Sequence, residues 1–571
     1  MTFPRFLLPV VFLLPFLARG QQGALQRFEL VIDEIMADPA PAVGLPAAEY
    51  VELKNTSGRE LNLKGCRLAT ATALSGPFPE LLLPAGSYLI LASTANAPAF
   101  AALGSALGVG SFPALDNNGT VLSLLSPEGR SLHSVEYTSA WYANVVKQEG
   151  GWSLEMVDTR YPCTGSANWK PSTDNSGGTP GRTNSVEAAN PDETGPVLQA
   201  AVTPDSLTLV LTFSEPVDSS SAAASSLYQL TPGITVRAAM VLAPGFTQVQ
   251  LELFTPLAPS AVYTLRASGI GDCAGNKAES SLAVGLPQEP SAGDVVINEL
   301  LFNPKPGASD YVELYNRGSK IVDAAGLYVA GRSGGALSAP KRLSEKPFYL
   351  FPGAYLVLTE DGEALQRGYR VKAPGQVLSL PSLPALPDDR GAVALLNRQG
   401  AVVDEVAYTR DWHFGLIDDA EGVALERMDP DGPSQDKSNW HSAASTAGYG
   451  TPTYRNSQYR QAGALRASID ISPKIFSPDN DGHEDVLLIR YSLSESGYVA
   501  NLVLFDAGGR LVRRLVKNDL LGLSGSWTWD GLDEKGQQLP VGTYIILTEL
   551  FNLQGRKEHF KQTVVLARRL N

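Results

Sequence analysis

Histidine and cysteine are scarce in this chain, at 5 and 3 of 571 residues. His133, His413, His441, His483 and His559 are scattered, and no two stand at the spacing of a metal motif such as H-E-x-x-H. There is no paired-cysteine zinc pattern, no Walker loop and no G-x-G-x-x-G. Residues 331–335 spell G-R-S-G-G, a formal match to the nucleophile elbow, but no helical pattern follows, so Ser333 reads as a turn residue. Positive charge is also in deficit: 45 Lys and Arg face 59 Asp and Glu, for a formal net charge of −14. Without a basic cluster the chain lacks the phosphate-binding charge of a nucleic-acid partner. Its acidity suits cations, solubility or polysaccharide contact. Beyond the first 20 residues no apolar run reaches membrane-spanning length free of charge or frequent Pro and Gly, so no transmembrane span is expected.

What is abundant is glycine (54) and proline (40), a loop-rich globular composition. Residues 1–20 read as a secretory signal peptide, with Arg5, an apolar stretch and Ala18-Arg19-Gly20 at the cleavage site. The mature chain is expected to start near Gln21, outside the cytoplasm. At about 150 residues per domain, the remainder makes three to four domains.

One segment is written twice. "AEYVELKN" at residues 48–55 returns as "SDYVELYN" at 309–316. Around it, "VIDEIMADPAP" answers "VINELLFNPKP", "LPAGSYLIL" answers "FPGAYLVL", and "GWSLEMVD" answers "GVALERMD". The copies close with "SANW…GGTPGRTNS" and "KSNW…GYGTPTYRNS", so Trp169 matches Trp440. Order and spacing hold throughout, which makes this an internal domain repeat.

Most segments are short runs rich in Val, Leu, Tyr and Ile, punctuated by Pro, Gly, Asn and Asp. They predict short strands in an all-β, multidomain chain of β-sandwiches. In "EYVEL" the period of two puts Val51 and Leu53 on one face and Tyr50 and Glu52 on the other. Only residues 97–108 and 360–370 read as short helices.

The repeated blocks resemble the bacterial lamin tail domain, in copies expected at residues 26–186 and 293–457. The resemblance implies an immunoglobulin-like sandwich and a role in interaction or surface display. Between the copies, "L-x-F-S-E-P-V-D", "Y-T-L" and "D-x-A-G-N" resemble a bacterial Ig-like domain at 194–286, which implies a spacer. "FSPDNDG", "VLFDAGGRLV" and "WDGLDEKGQQLPVGTY" resemble both the Ig-like domain of the flagellar hook-capping protein and the sorting domain of type IX secretion. That segment spans 468–571, and its final position favours the sorting reading. The resemblance then implies a Gram-negative source and the secretion machinery as a partner.

Four carboxylates recur between the copies: Glu34 with Glu299, and Glu52 with Glu313. They form either a paired acidic site for a cation or other ligand, or structural carboxylates that accept loop N–H groups or end strands, the second reading being favoured. Asp479, Asp481 and Asp485 around Gly482 offer oxygen ligands for calcium in a tight turn, although the twelve-residue EF-hand loop is absent; the alternative is an ion-free Asp/Asn/Gly turn. Calcium is the one cofactor the sequence suggests. Cys66 and Cys163 both lie in the first copy and are replaced together in the second, by Leu327 and Ser434. This predicts a Cys66–Cys163 disulfide with Cys273 free.

Taken together, these features describe a secreted or cell-surface, non-enzymatic protein with a structural, adhesive or protein-interaction role, meeting a surface or matrix component. The alternative is an accessory polysaccharide-binding protein of secreted hydrolases, using exposed aromatics such as Trp141 and Trp412.

Overall fold

In the strand Leu30–Met36 every residue is buried, on both faces. A regular strand would send alternate residues to one face. Yet Leu30, Ile32, Ile35 and Ala37 all enter the same core. The register slips between Ile32 and Glu34, a β-bulge that turns the chain by one residue. The second copy repeats this: its register slips between Ile297 and Glu299, and Val295, Ile297, Leu300 and Phe302 share one core. The bulge leaves Glu34 opposite Glu52 and Glu299 opposite Glu313.

These observations come from a computed structural model that describes residues 24–417, 419–460 and 467–568. The expected signal peptide at 1–20 lies outside the described residues. The chain forms two compact units, one of Met1–Pro256 with Tyr263–Val284, the other of Leu257–Val262 with Gly285–Asn571.

In the first unit a six-stranded sheet runs in the order Trp169–Pro171, Leu154–Met156, Leu30–Met36, Tyr50–Asn55, Tyr88–Ser93, Ala106–Val109. Its last pairing is parallel and the others are antiparallel. A smaller sheet of Arg67–Ala69, Gly119–Leu125 and Ser131–Thr138 supplies the other wall. Leu68, Leu122, Leu124 and Val135 from that wall meet Ile32, Val51, Leu53 and Leu91 in one core. Residues 97–108, expected as a helix, are instead a single 3-10 turn at Ala97–Phe100 followed by the parallel strand Ala106–Val109. The strand wins because its edge pairs with Tyr88–Ser93. The Ig-like part of this unit has a four-stranded sheet (Leu198–Asp205, Thr208–Phe213, Gln248–Leu253, Val236–Leu242) and a three-stranded one (Tyr228–Thr231, Tyr263–Gly271, Lys277–Val284).

The second unit repeats the six-stranded order with Trp440–Ser442, Leu425–Arg427, Val295–Leu301, Tyr311–Asn316, Tyr355–Thr359 and Val377–Ser379. The expected helix in 360–370 is present at Gly362–Gly368, capped by the Asp361 carboxylate on the Ala364 N–H. Ser333 ends a strand at a Gly334-Gly335 hairpin, both glycines having positive φ, and Ser333 pairs with Ala336. The C-terminal part is a further sandwich, three strands against five around buried Trp529. It packs on the repeat domain of its own unit through Phe414, Val499 and Leu520, with Gln458 Nε2 donating to the Leu521 carbonyl at 3.0 Å.

Candidate functional site

The repeated acids sit on the face of the large sheet turned away from the main core. Glu34 is fully buried and its Oε1 accepts from the Tyr50 hydroxyl (2.7 Å), Ser153 Oγ (2.5 Å) and the Thr179 N–H (2.8 Å). In the second copy Glu299 Oε1 accepts from the Tyr311 hydroxyl (2.7 Å) and the Thr451 N–H (2.9 Å). Thr179 and Thr451 come from the closing "G-T-P" segments, which fold back over the sheet. The second acid of each copy holds the same segment further on: Glu52 Oε2 accepts from the Gly181 N–H and Glu313 Oε2 from the Thr453 N–H. The repeated acids are thus the acceptors that fasten the closing segment, which explains why "YVEL" buries both faces.

A third acid completes each network and escaped the sequence reading, although it stands in the matched blocks "SLEM" and "ALER". Glu155 accepts from Thr179 Oγ1 (2.9 Å), Ser185 Oγ (2.8 Å) and the Val186 N–H (3.1 Å). Glu426 accepts from Thr451 Oγ1 (2.8 Å), Ser457 Oγ (2.8 Å) and the Gln458 N–H (2.9 Å). Burial, reinforced by Glu155, pushes the Glu34 carboxyl up to about 8, and burial with Glu34 pushes Glu52 to about 10. Burial and Glu426 raise Glu299 to about 8, and Glu313 also lies well above the usual carboxylate range.

The copies differ at the bulge residue. Asn298 donates to Glu313 Oε1 (2.9 Å) and Asn456 Oδ1 (2.7 Å). Its counterpart Asp33 has both carboxyl oxygens buried without a hydrogen-bond partner, and Glu52 Oε1 is likewise unpartnered. Burial raises the Asp33 carboxyl to about 7, against the pull of Lys54.

A second exchange explains the cysteines. Asp404 accepts from the Ile297 N–H (2.8 Å) and forms a buried ion pair with Arg427 (3.0 Å), and Ser434 Oγ joins both. In the first copy the three positions are His133, Met156 and Cys163. His133 Nδ1 accepts from the Ile32 N–H (2.9 Å), which leaves Nε2 as donor to the Pro162 carbonyl (3.1 Å), and burial depresses its pKa to about 4. A neutral ring therefore replaces the carboxylate together with its arginine.

Cys163 is released from that role and bonds to Cys273, with Cα atoms 6.2 Å apart. The expected Cys66–Cys163 bond is corrected. Cys66 is free and wholly inside the first core, at the place Leu327 occupies in the second, and burial pushes its thiol up to about 12. It serves as a small hydrophobic residue. The disulfide joins the repeat domain to the Ig-like turn "GDCAGN".

The remaining candidates are placed as follows. Asp479, Asp481 and Asp485 have carboxylate oxygens within 4.8 Å of one another at the surface. Asp485 accepts from the Asn480 and Gly482 N–H groups (2.6 and 2.8 Å), and Asp481 from the His483 N–H (2.9 Å). These bonds are those of an Asx-type turn. Trp141 and Trp412 are half-buried, each 6.2 Å from the core tryptophan of its copy, Trp169 or Trp440. Trp152 is also half-buried, and the other four tryptophans are buried. No helix among the described residues is long and apolar enough to cross a membrane.

Comparison with known proteins follows the same divisions. The lamin tail domain model matches residues 26–139 and 288–410, and the bacterial Ig-like domain model matches 186–284. No curated protein matches the chain. Among solved structures it is similar to the N-terminal part of the bacterial S-layer protein SbsC, at 18% identity over 28% of this chain and 39% of that one, TM-score 0.16. Dimeric latent PorU from Porphyromonas gingivalis matches at 10% identity over 64% of this chain and 32% of that one, TM-score 0.15. A Ca2+-stabilized adhesin of an Antarctic bacterium matches at 9% identity over 96% of this chain and 100% of that one, TM-score 0.12. This chain spans 39% to 55% of the lengths of the three S-layer chains it matches. Overlaps with TM-scores this low carry no functional argument. The family matches show domain content: the chain contains two lamin tail domains and one bacterial Ig-like domain.

Proposed function

We propose that this protein is an exported, non-catalytic structural or adhesive component of the cell surface or its surroundings, built from sandwich modules stapled to one another. The observation that carries this reading is the Cys163–Cys273 bond, which ties a lamin tail domain to the Ig-like domain. Such bonds persist in oxidising compartments. Further support comes from the repeated carboxylates: their hydrogen bonds go to the protein's own closing segments, which is a fastening role. The C-terminal sandwich, by its resemblance to sorting domains, directs passage to the outer surface, and its partner there is secretion machinery. The surface or matrix partner is a protein or a polysaccharide.

The test is fractionation of cells expressing the full chain or a form truncated before Ile469, with differential alkylation of the secreted product. The expected result is surface or medium location, a Cys163–Cys273 linked peptide, and periplasmic retention of the truncated form. Binding of the purified chain to a matrix and glycan panel then identifies the partner. Reduced Cys163 and Cys273 in cytoplasmic protein would overturn export. Turnover of a nuclease, esterase, peptidase or glycosidase substrate, abolished by one point substitution, would overturn the non-catalytic role.

A further inference from the structure

We infer that the first unit holds a divalent cation, calcium by its chemistry, between Asp192, Glu215 and Asp272. One carboxylate oxygen from each lies within 4.8 Å of the others, and all three residues are buried. Oxygens at that mutual separation suit one central ion at the 2.3–2.6 Å typical of calcium, whereas magnesium demands shorter, octahedral bonds.

Two of the acids are positioned by hydrogen bonds. Asp192, in the linker between the domains, accepts from Thr164 Oγ1 (3.1 Å) and the Thr194 N–H (3.2 Å). Asp272 accepts from the Asn276 N–H (2.9 Å) and Nδ2 (3.0 Å), and that amide also donates to the Asp192 carbonyl at 2.9 Å. The Asp and Asn of the "D-x-A-G-N" motif thus shape the site.

Glu215, from "F-S-E-P-V-D", is different. It is 7% exposed, accepts no hydrogen bond and pairs with no cation among the described residues, and it faces the other two acids. Three carboxylates turned toward one another, one of them with no hydrogen bond or cation of its own, repel unless a positive ion sits between them. Asp272 adjoins Cys273, and Asp192 is bonded to Thr164 beside Cys163, so ion and disulfide join the same two segments.

The experiment uses the full chain, stripped with chelator and titrated with Ca2+ or Mg2+ alone, followed by calorimetric binding and thermal unfolding. The variants are Glu215→Gln, which loses no hydrogen bond, Glu215→Ala, and Asp479→Asn as a control at the surface Asp loop. Expected is a Ca2+ dissociation constant on the order of 0.1–1 mM, as in extracellular modules. Both Glu215 variants should weaken it at least tenfold and lose the Ca2+-dependent rise in the first unit's unfolding temperature, while Asp479→Asn keeps both. Without calcium, Glu215→Gln should unfold at or above the wild-type temperature, since a repelling carboxyl is gone. The inference is overturned by a wild type that shows no Ca2+ response through the millimolar range. It is equally overturned by Glu215 variants that keep the full response, or by a Mg2+ response equal to that of Ca2+.

Discussion

Replacing Asp33 by Asn tests the account of the buried acids directly, because the second repeat already contains the outcome. Asp33 has no hydrogen-bond partner on either oxygen, and neither has Glu52 Oε1. In the matching place Asn298 donates to Glu313 Oε1 at 2.9 Å. Asp33→Asn supplies that missing donor and removes an ionisable group. The Asp33 carboxyl holds its proton to about pH 7, whereas an unperturbed aspartate releases it near 3.8. Between those values the folded protein binds a proton that the unfolded chain has lost, so stability falls as pH rises through that window. The loss is complete above the folded pKa and amounts to roughly 4 kcal/mol at most, taking 1.36 kcal/mol per pH unit. The gain from the substitution is therefore expected at about 2–4 kcal/mol at pH 8 and about 1 kcal/mol, from the new hydrogen bond, at pH 4. At about 2–4 °C per kcal/mol for a unit of this size, the first unit's transition should rise by about 4–16 °C at pH 8. Differential scanning calorimetry of the full chain at pH 4, 6 and 8 reads both the rise and its pH dependence. A variant that melts below wild type at pH 8, or keeps the wild-type pH slope between 4 and 7, would refute the reasoning.

Other consequences follow from the same geometry. Gly178→Ala places a Cβ 2.6 Å from both Glu34 Oε1 and the Tyr50 hydroxyl, so the closing segment must lift. The expected cost is about 1–3 kcal/mol, read as a lower unfolding temperature and faster amide exchange in residues 177–185. Cys273→Ser removes a staple with a sequence separation of 110, for which chain entropy gives a loss of up to about 4–5 kcal/mol. Alkylation under native conditions should then modify Cys163 while Cys66 stays protected, and labelled Cys66 with unlabelled Cys163 would contradict the assignment. Arg427→Met alone strands the buried Asp404 carboxylate and should cost about 3–5 kcal/mol, whereas adding Asp404→His rebuilds the first copy's neutral pair and should recover most of it. A double variant no more stable than the single one would show that the two positions are not coupled.

Much of this protein was legible in the sequence, because strand periodicity, turn residues and an internal repeat are local patterns. The repeat marks both lamin tail domains, and "GRSGG" followed by no helical pattern disqualifies Ser333 as a nucleophile from the sequence alone. The repeated Glu34, Glu52, Glu299 and Glu313 were visible as well, and the preferred reading of them as loop acceptors matches the bonds they make. Their third partners, Glu155 and Glu426, were available in the same aligned blocks and went unnoticed.

What only the tertiary structure decided are matters of distance between remote segments. No local pattern shows that the chain slips by one residue after Ile32, since a bulge is defined by the partner strand's register. That slip sets which acids face each other. The partner of Cys163 lies in another domain because domain packing brings "GDCAGN" within bonding reach, while Cys66, in the same repeat, points into a core where a thiol packs as leucine does. Trp141 and Trp412 lie half-buried against core tryptophans, since the 3-10 turns that carry them, Ser139–Tyr142 and Arg410–Trp412, fold onto Trp169 and Trp440. Asp192, Glu215 and Asp272 are remote in sequence, and converge because folding of the Ig-like domain onto its linker brings their three carboxylates together.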